Sequence, residues 1–312
     1  EDIEKMRDLI REGLSHGAWG VSAGLDYKPA YFALTDEVIK VVDVARPWRT
    51  NFTNHDRVTP ESNFSSIAGM NETLDIAAAA GLAAVITHMK VQGHEQGRAK
   101  LILDRMRRAV SRGQVVAADA YPYLAGQTGL GALLVPAWAQ DGGPQAMRAR
   151  FADAGERARI VAEIEQAMTL RFGGAAGVYL PSLRKQLVDV MEEMQVPPGE
   201  SVVRLLEQSN LGAILRFGRE DDLRAILRYP DASIACDCGA TTSTTTHPRN
   251  YGTYPRVLGR YVREAGVLSW ESAVRKMTAL PAATIGMIDR GILAVGMAPD
   301  ITVFDPKTVI DR

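Results

Sequence analysis

Apolar runs in this chain repeatedly end on a polar residue, and the repeat has a fixed length. Trp19-Gly-Val21 leads into Ser22, Phe52-Thr-Asn54 into His55, Leu82 to Thr87 into His88, Gln114 to Ala118 into Asp119, and Ser233 to Cys236 into Asp237. The first four end points are separated by 33, 33 and 31 positions. A strand, a loop, a helix and a second loop need about 30 residues, so this spacing predicts successive strand–helix units. Leu82 to Thr87 shows little polar alternation, as expected of a parallel strand buried on both faces. Helical patterns fill the intervals. Ile3, Met6, Leu9, Ile10 and Leu14 mark an opening helix that stops near Gly17, and further helices are predicted over 36–45, 65–81 and 97–112. A barrel of such units gathers the C-terminal ends of its strands around one pocket.

After Tyr123 the rhythm breaks for about a hundred residues. Gly126, Gly129, Gly131, Pro136, Gly142, Gly143 and Pro144 precede polar helical patterns over 148–172 and 181–194. A structureless loop of that length is unlike a compact domain, so the segment reads as a mostly helical insertion over the pocket mouth. A strand at 213–217 and a helix at 220–227 would return the chain to the barrel wall at 233–236. A small-residue loop (239–246) follows, then a helix at 256–265 and another capped by Ser269. Gly291–Gly296 and Pro299–Phe304 read as two short strands.

Composition narrows the partners. The 312 residues carry 36 Lys and Arg against 37 Asp and Glu, a formal charge of −1, with 46% hydrophobic and 23% charged residues. That balance predicts neither a nucleic-acid surface nor a membrane surface. No apolar stretch is long enough to span a bilayer. The two cysteines, Cys236 and Cys238, form C-x-C rather than the C-x-x-C of a zinc module, and are a poor frame for a structural disulfide. They are expected to be small packing residues beside Asp237. A cytoplasmic location is expected, although an exported protein without disulfides would fit the same count. The chain opens inside a helix without a starting methionine, and the expectation is a fragment of a longer protein.

Histidine is scarce, with five in all. His16 sits at a helix end and His94 in a loop, and both read as structural or solvated. His55 and His88 occupy equivalent points of successive units, which favours two imidazole ligands on one metal over two unrelated core histidines. Asp237 reads either as an Asx turn or as a carboxylate that takes a proton from an activated water. Asp119 competes for that role. Tyr121-Pro-Tyr123 offers a phenol from a rigid turn. Lys90 could hold a substrate anion or pair with a loop carboxylate, and Arg249 could grip a substrate carboxylate or close its own loop by a salt bridge. There is no phosphate-loop lysine motif, dinucleotide fingerprint or G-x-S-x-G elbow.

In order, the chain carries Gly17-Ala-Trp-Gly-Val-Ser-Ala-Gly-Leu25 with Tyr27, His55-Asp-Arg57, Thr87-His-Met-Lys90, Asp119-Ala-Tyr-Pro-Tyr123 and Asp237-Cys-Gly239. His247-Pro-Arg-Asn-Tyr-Gly-Thr-Tyr-Pro-Arg-Val-Leu-Gly259, Lys276-Met-Thr278, Asp289-Arg-Gly291 and Gly296-Met-Ala-Pro-Asp300 follow. In these markers it resembles the N-acyl-D-amino-acid deacylases (D-aminoacylases) of the amidohydrolase superfamily. The resemblance implies an α/β fold: a distorted, incomplete TIM-like (β/α)8 barrel with a mostly helical insertion and part of a small β-sandwich. It divides the chain into barrel units over 1–123 (approximately strands 4 to 7), an insertion over 124–212, a closing strand and helices over 213–290, and the start of a β-domain over 291–312. It implies hydrolysis of a small-molecule N-acyl-D-amino acid to a carboxylate and a D-amino acid, using one or two Zn2+ ions in the full-length protein.

By the same resemblance His55 and His88 are zinc ligands of the fifth and sixth strands, and Asp237 is the catalytic aspartate of the eighth. Lys90, Tyr121 and Arg249 contact substrate, Arg249 through its α-carboxylate. The family's first-strand His-x-His pair has no counterpart here, so the remaining ligands are expected outside this chain and the chain alone is expected to be inactive. The alternatives are a cyclic-amide hydrolase resembling dihydroorotases and hydantoinases, which the His247–Gly259 block argues against, and a non-catalytic barrel that has lost its metal. Nothing in the sequence sets an oligomeric state.

Overall fold

The computed structural model describes residues 2–311. Its centre is a five-stranded, wholly parallel sheet built from β1 (Gly20–Gly24), β2 (Asn51–His55), β3 (Ala83–Ile86), β4 (Val116–Ala120) and β9 (Ala232–Ile234), in the order β1-β2-β3-β4-β9. Register aligns the C-terminal ends along one rim: Gly24 lies opposite His55, Asn54 opposite Ile86, Ile86 opposite Ala118, and Ala120 opposite Ile234. Parallel strands need crossovers, and the helices Thr35–Val42, Ser66–Ala80 and Ala99–Ser111 supply them. Among the described residues the sheet is an open arc with β1 and β9 at its edges.

The second and third crossover helices lie within about two residues of the predicted 65–81 and 97–112, whereas the first ends at Val42, short of the predicted 36–45, and gives way to a 3-10 helix over Asp43–Trp48. Ser65 caps the second by accepting from the Ala68 N–H, and Gly81 ends it with φ of +72°. Phe52, Met70, Leu74, Ile86, Ile102 and Met106 form the core between these helices and the sheet. Burial of such side chains contributes about 1.5–3 kcal/mol each.

The segment after β4 is mostly helical, as expected, but not wholly so. It holds a second, antiparallel sheet of β5 (Ala125–Gly129), β6 (Val178–Leu180), β7 (Lys185–Gln186) and β8 (Gly212–Arg216), in the order β5-β8-β6-β7. The strand expected to carry the chain back to the barrel is β8, which belongs to this second sheet instead. The helix expected over 148–172 is two helices, Gly143–Ala152 and Ala154–Phe172, because Asp153 leaves helical geometry and caps the second through the Glu156 N–H. A separate core of Leu130, Phe151, Ile160, Ile164, Val178 and Leu215 holds this unit together.

Two further differences lie downstream. The helix expected over 256–265 starts earlier, as Arg249–Arg256, and continues as a π-helix over Val257–Glu264. Gly291–Gly296 and Pro299–Phe304 form no strands. Their apolar side chains face solvent, Leu293 at 71% and Val303 at 90% exposure. An isolated two-stranded ribbon without a surface to cover is marginal in water, which is why the apolar pattern misleads here.

A candidate active site at the strand ends

One cavity opens at the C-terminal rim of the parallel sheet, and His55, His88, Lys90, Tyr121, Asp237 and Arg249 all line it. His55 ends β2. His88 lies just past β3 with φ of +33°, a left-handed conformation that costs a non-glycine residue energy. Asp119 on β4 holds it there: its Oδ1 accepts from the His88 N–H at 2.7 Å and its main-chain oxygen from the Met89 N–H at 2.8 Å. Asp119 therefore serves the backbone of the β3 end and does not line the cavity. Burial pushes its carboxyl up to about 6.

The two imidazoles meet edge to face, 4.4 Å between centroids, and Tyr27 closes on the other side of His55 at 4.7 Å. Burial, with help from the Lys90 and His55 charges, lowers the His88 pKa well below the ordinary value, so its ring is neutral and its lone pair free for a ligand. Lys90 donates to the His88 carbonyl at 2.7 Å, and its ammonium lies 4.0 Å above the Tyr121 ring. Burial pushes Lys90 down to about 7.

The opposite wall comes from the loop after β9 and the start of the Arg249–Arg256 helix. Arg249 donates to the Tyr121 hydroxyl at 2.9 Å and pairs with Asp237 Oδ2 at 2.7 Å. Its Nη2 reaches the Gln127 carbonyl at 3.3 Å, and its buried Nε has no hydrogen-bond partner among the described residues. His247 fixes the helix start by accepting the Arg249 N–H on Nδ1 at 2.9 Å. Burial and the adjacent cations push this imidazole down to about 3, so it stays neutral. Gly126 is required beside the phenol, since a Cβ there would come 2.5 Å from the Tyr121 oxygen. Asp237 is 41% exposed and has φ of +48°.

Cys236 and Cys238 are joined by a disulfide around Asp237, which corrects the expectation of two packing residues. That expectation placed them on a strand, where flanking side chains point away from Asp237. β9 ends at Ile234, and the left-handed turn at Asp237 brings the two Cα atoms to 5.1 Å. His16 and His94, as expected, lie outside the cavity and are exposed.

The amidohydrolase family matches residues 2–312. The chain belongs to the amidohydrolase family. Over 316 aligned residues it is 33% identical to the D-aminoacylase of Alcaligenes xylosoxydans xylosoxydans, covering 100% of this chain and 57% of that protein. It is 31% identical to the N-acyl-D-glutamate deacylase of the same organism, covering 98% and 56%. The crystal structure of N-acyl-D-glutamate deacylase from Bordetella bronchiseptica, complexed with zinc and a phosphonate mimic of the tetrahedral intermediate, superposes with a TM-score of 0.78 at 30% identity, covering 99% of this chain and 58% of that one. A D-aminoacylase crystal structure gives 0.77 at 31% identity, with 99% and 57% covered. The chain thus spans somewhat over half the length of these relatives.

This amidohydrolase carries several cavity residues that the sequence did not single out as site residues: Asp56, Gln92, Gln127, Thr128, Leu133, Leu215 and Phe217. Two further buried residues contact cavity-lining ones, His247 beside Arg249 and Asp26 beside His55. Asp26 had one signal, an acid inside the otherwise small and apolar run Ala23-Gly-Leu-Asp-Tyr27. Among the described residues no group of three or more His, Cys, Asp or Glu side chains is set to hold a metal. His55 and His88 suit zinc in donor type, but they are two donors where a catalytic zinc takes three protein ligands. No helix among the described residues is long and apolar enough to cross a membrane.

Proposed function

We propose that this amidohydrolase deacylates N-acyl-D-amino acids, hydrolysing the amide to a carboxylate and a free D-amino acid. The observation that carries the reading is the convergence of two adjacent imidazoles, a lysine, and an Arg249–Asp237 pair on one cavity. Both compared relatives whose names state an activity are deacylases of this class. His55 and His88 would hold zinc, which when bound polarises the amide carbonyl and acidifies water.

The chain's own residues do the rest. The Arg249 guanidinium faces the cavity with a carboxylate already on one edge, so it is preset for the planar α-carboxylate of a substrate. Substrate binding there releases Asp237 from its ion pair. Freed, Asp237 takes a proton from the attacking water and passes it to the leaving nitrogen, a role worth roughly 10²–10⁴ in rate. Lys90 and the Tyr121 hydroxyl, held 2.9 Å from Arg249, add donors for the substrate's oxygens. Leu133, Leu215 and Phe217, brought by the insertion, supply the apolar wall that excludes water.

The decisive assay separates products from N-acyl-D-amino acids, their L-enantiomers and hydantoins. Hydrolysis restricted to the acyl-D compounds is expected; opening of hydantoins instead would make this a cyclic-amide hydrolase. The chain by itself is expected to turn over little, because it offers two zinc donors. Strong zinc-dependent deacylation by the isolated chain would overturn that expectation.

A further inference from the structure

Asp26 lies two residues beyond β1 with 1% exposure, among the most deeply buried charges in the molecule. Its Oδ1 accepts from the Val58 N–H at 3.2 Å. Its Oδ2 accepts from Arg171 Nη2 at 2.7 Å and sits 3.8 Å from His55 Nε2. Arg171 comes from the last turn of the Ala154–Phe172 helix, 145 residues away in sequence, and its side chain is 3% exposed. The same turn is pressed on the loop after β3: a Cβ on Gly93 would lie 1.9 Å from the Leu170 carbonyl oxygen. Between the β2 rim and the first strand, the Leu25 N–H donates to the His55 carbonyl at 3.1 Å.

A buried ion pair is poor evidence for stability, because well-packed apolar residues of equal volume often do as well or better. This pair has a third neighbour, the imidazole. The Arg171 guanidinium, 2.7 Å from Oδ2, pairs with Asp26 as a carboxylate beside that imidazole. A carboxylate facing one ring nitrogen of a histidine keeps the proton on that nitrogen and leaves the lone pair on the other. Tyr27 and His88 pack against the same ring and restrict its rotation.

We propose that Asp26 is a positioning residue for His55, orienting its ring and fixing its tautomer, and that Arg171 holds Asp26 in place so that the insertion and the metal-binding edge of the cavity are set together. The proposal rests on His55 being a metal ligand. It assigns the Nε2–H tautomer to His55, with Nδ1 as the donor atom, and makes the end of the insertion helix part of the ligand's support.

Four proteins test it: the parent chain, Asp26→Asn, Arg171→Met, and the double variant D26N/R171M, with His55→Ala as reference. The readouts are the imidazole nitrogen shifts of His55 by NMR, zinc affinity by competition with a chromophoric chelator, and Tm. Asp26→Asn should erode the Nε2–H tautomer and weaken zinc binding about 10–100-fold. Arg171→Met strands a buried carboxylate and should lower Tm most. In the double variant Tm should recover toward the parent while zinc affinity stays low. A double variant that binds zinc like the parent, or an unchanged tautomer in Asp26→Asn, overturns the proposal and leaves the pair a structural one. If His55→Ala itself binds zinc like the parent, the ligand assignment falls and this inference with it; loss of zinc only in His55→Ala sinks this inference alone.

Discussion

The two walls of the cavity are held in different ways. On the histidine side, His55 and His88 are packed among rings, and Asp119 fixes the strand end by accepting the His88 and Met89 N–H groups. On the opposite side Asp237 is 41% exposed, and its recorded partner at the rim is the guanidinium proposed to take substrate. The first wall is packed and hydrogen-bonded by the protein's own groups. The second contains an internal ion pair that a substrate carboxylate would replace. Under the proposed mechanism the contrast teaches where catalytic cost would sit: in desolvation on the histidine side, and on the carboxylate side in a contact that each turnover would have to break.

The sharpest way to break this contrast is Asp237→Asn, which should cut turnover by about 10²–10⁴ in the full-length protein while zinc content by elemental analysis stays near the parent's. Unchanged turnover would remove Asp237 from the chemistry. Next, Arg249→Lys keeps the charge but loses the planar fork, and should raise KM by roughly 10–100-fold with a smaller change in kcat; a kcat loss with KM intact would place Arg249 in the chemical step instead.

A third test uses pH and sits on the histidine wall. Burial depresses Lys90 to about 7 from its ordinary 10.5, so the folded state prefers the neutral amine. The stability this supports is present above the unfolded pKa and is lost as pH falls through about 7. Lys90→Met should therefore be more stable than the parent below pH 7, by on the order of a few kcal/mol, with the difference vanishing in alkali. Equal pH profiles by calorimetry would refute the buried-lysine account. The same variant should bind substrate worse, a trade of function for stability. The smallest effect is a control distant from the cavity: Ser65→Ala removes a helix cap and should cost about 1 kcal/mol in denaturant melts while leaving kinetics unchanged.

The parallel sheet was legible because each strand is a short apolar run at a nearly constant interval, and burial on both faces leaves that run uninterrupted. The six candidate residues followed from those strand ends and from the family-like blocks, and they share one cavity. The second sheet was not legible. β7 has two residues, β5 is rich in glycine, and β5 pairs with β8 across most of the insertion; pairing over such a separation leaves no local periodic trace. Asp26 was missed for a related reason, since its meaning lies in an arginine 145 residues away. The Cys236–Cys238 bridge depended on a backbone turn at Asp237 that a strand-based reading of C-x-C could not contain.

The left-handed backbone at His88 and Asp237 has a consequence for anyone improving this molecule. Glycine relieves such a conformation by up to roughly 1–2 kcal/mol, and by less at Asp237, since aspartate adopts it more readily than most residues. A library sorted for heat tolerance alone would thus enrich replacements at both positions, and its hardiest members would be the ones stripped of an imidazole and an acid at the cavity rim.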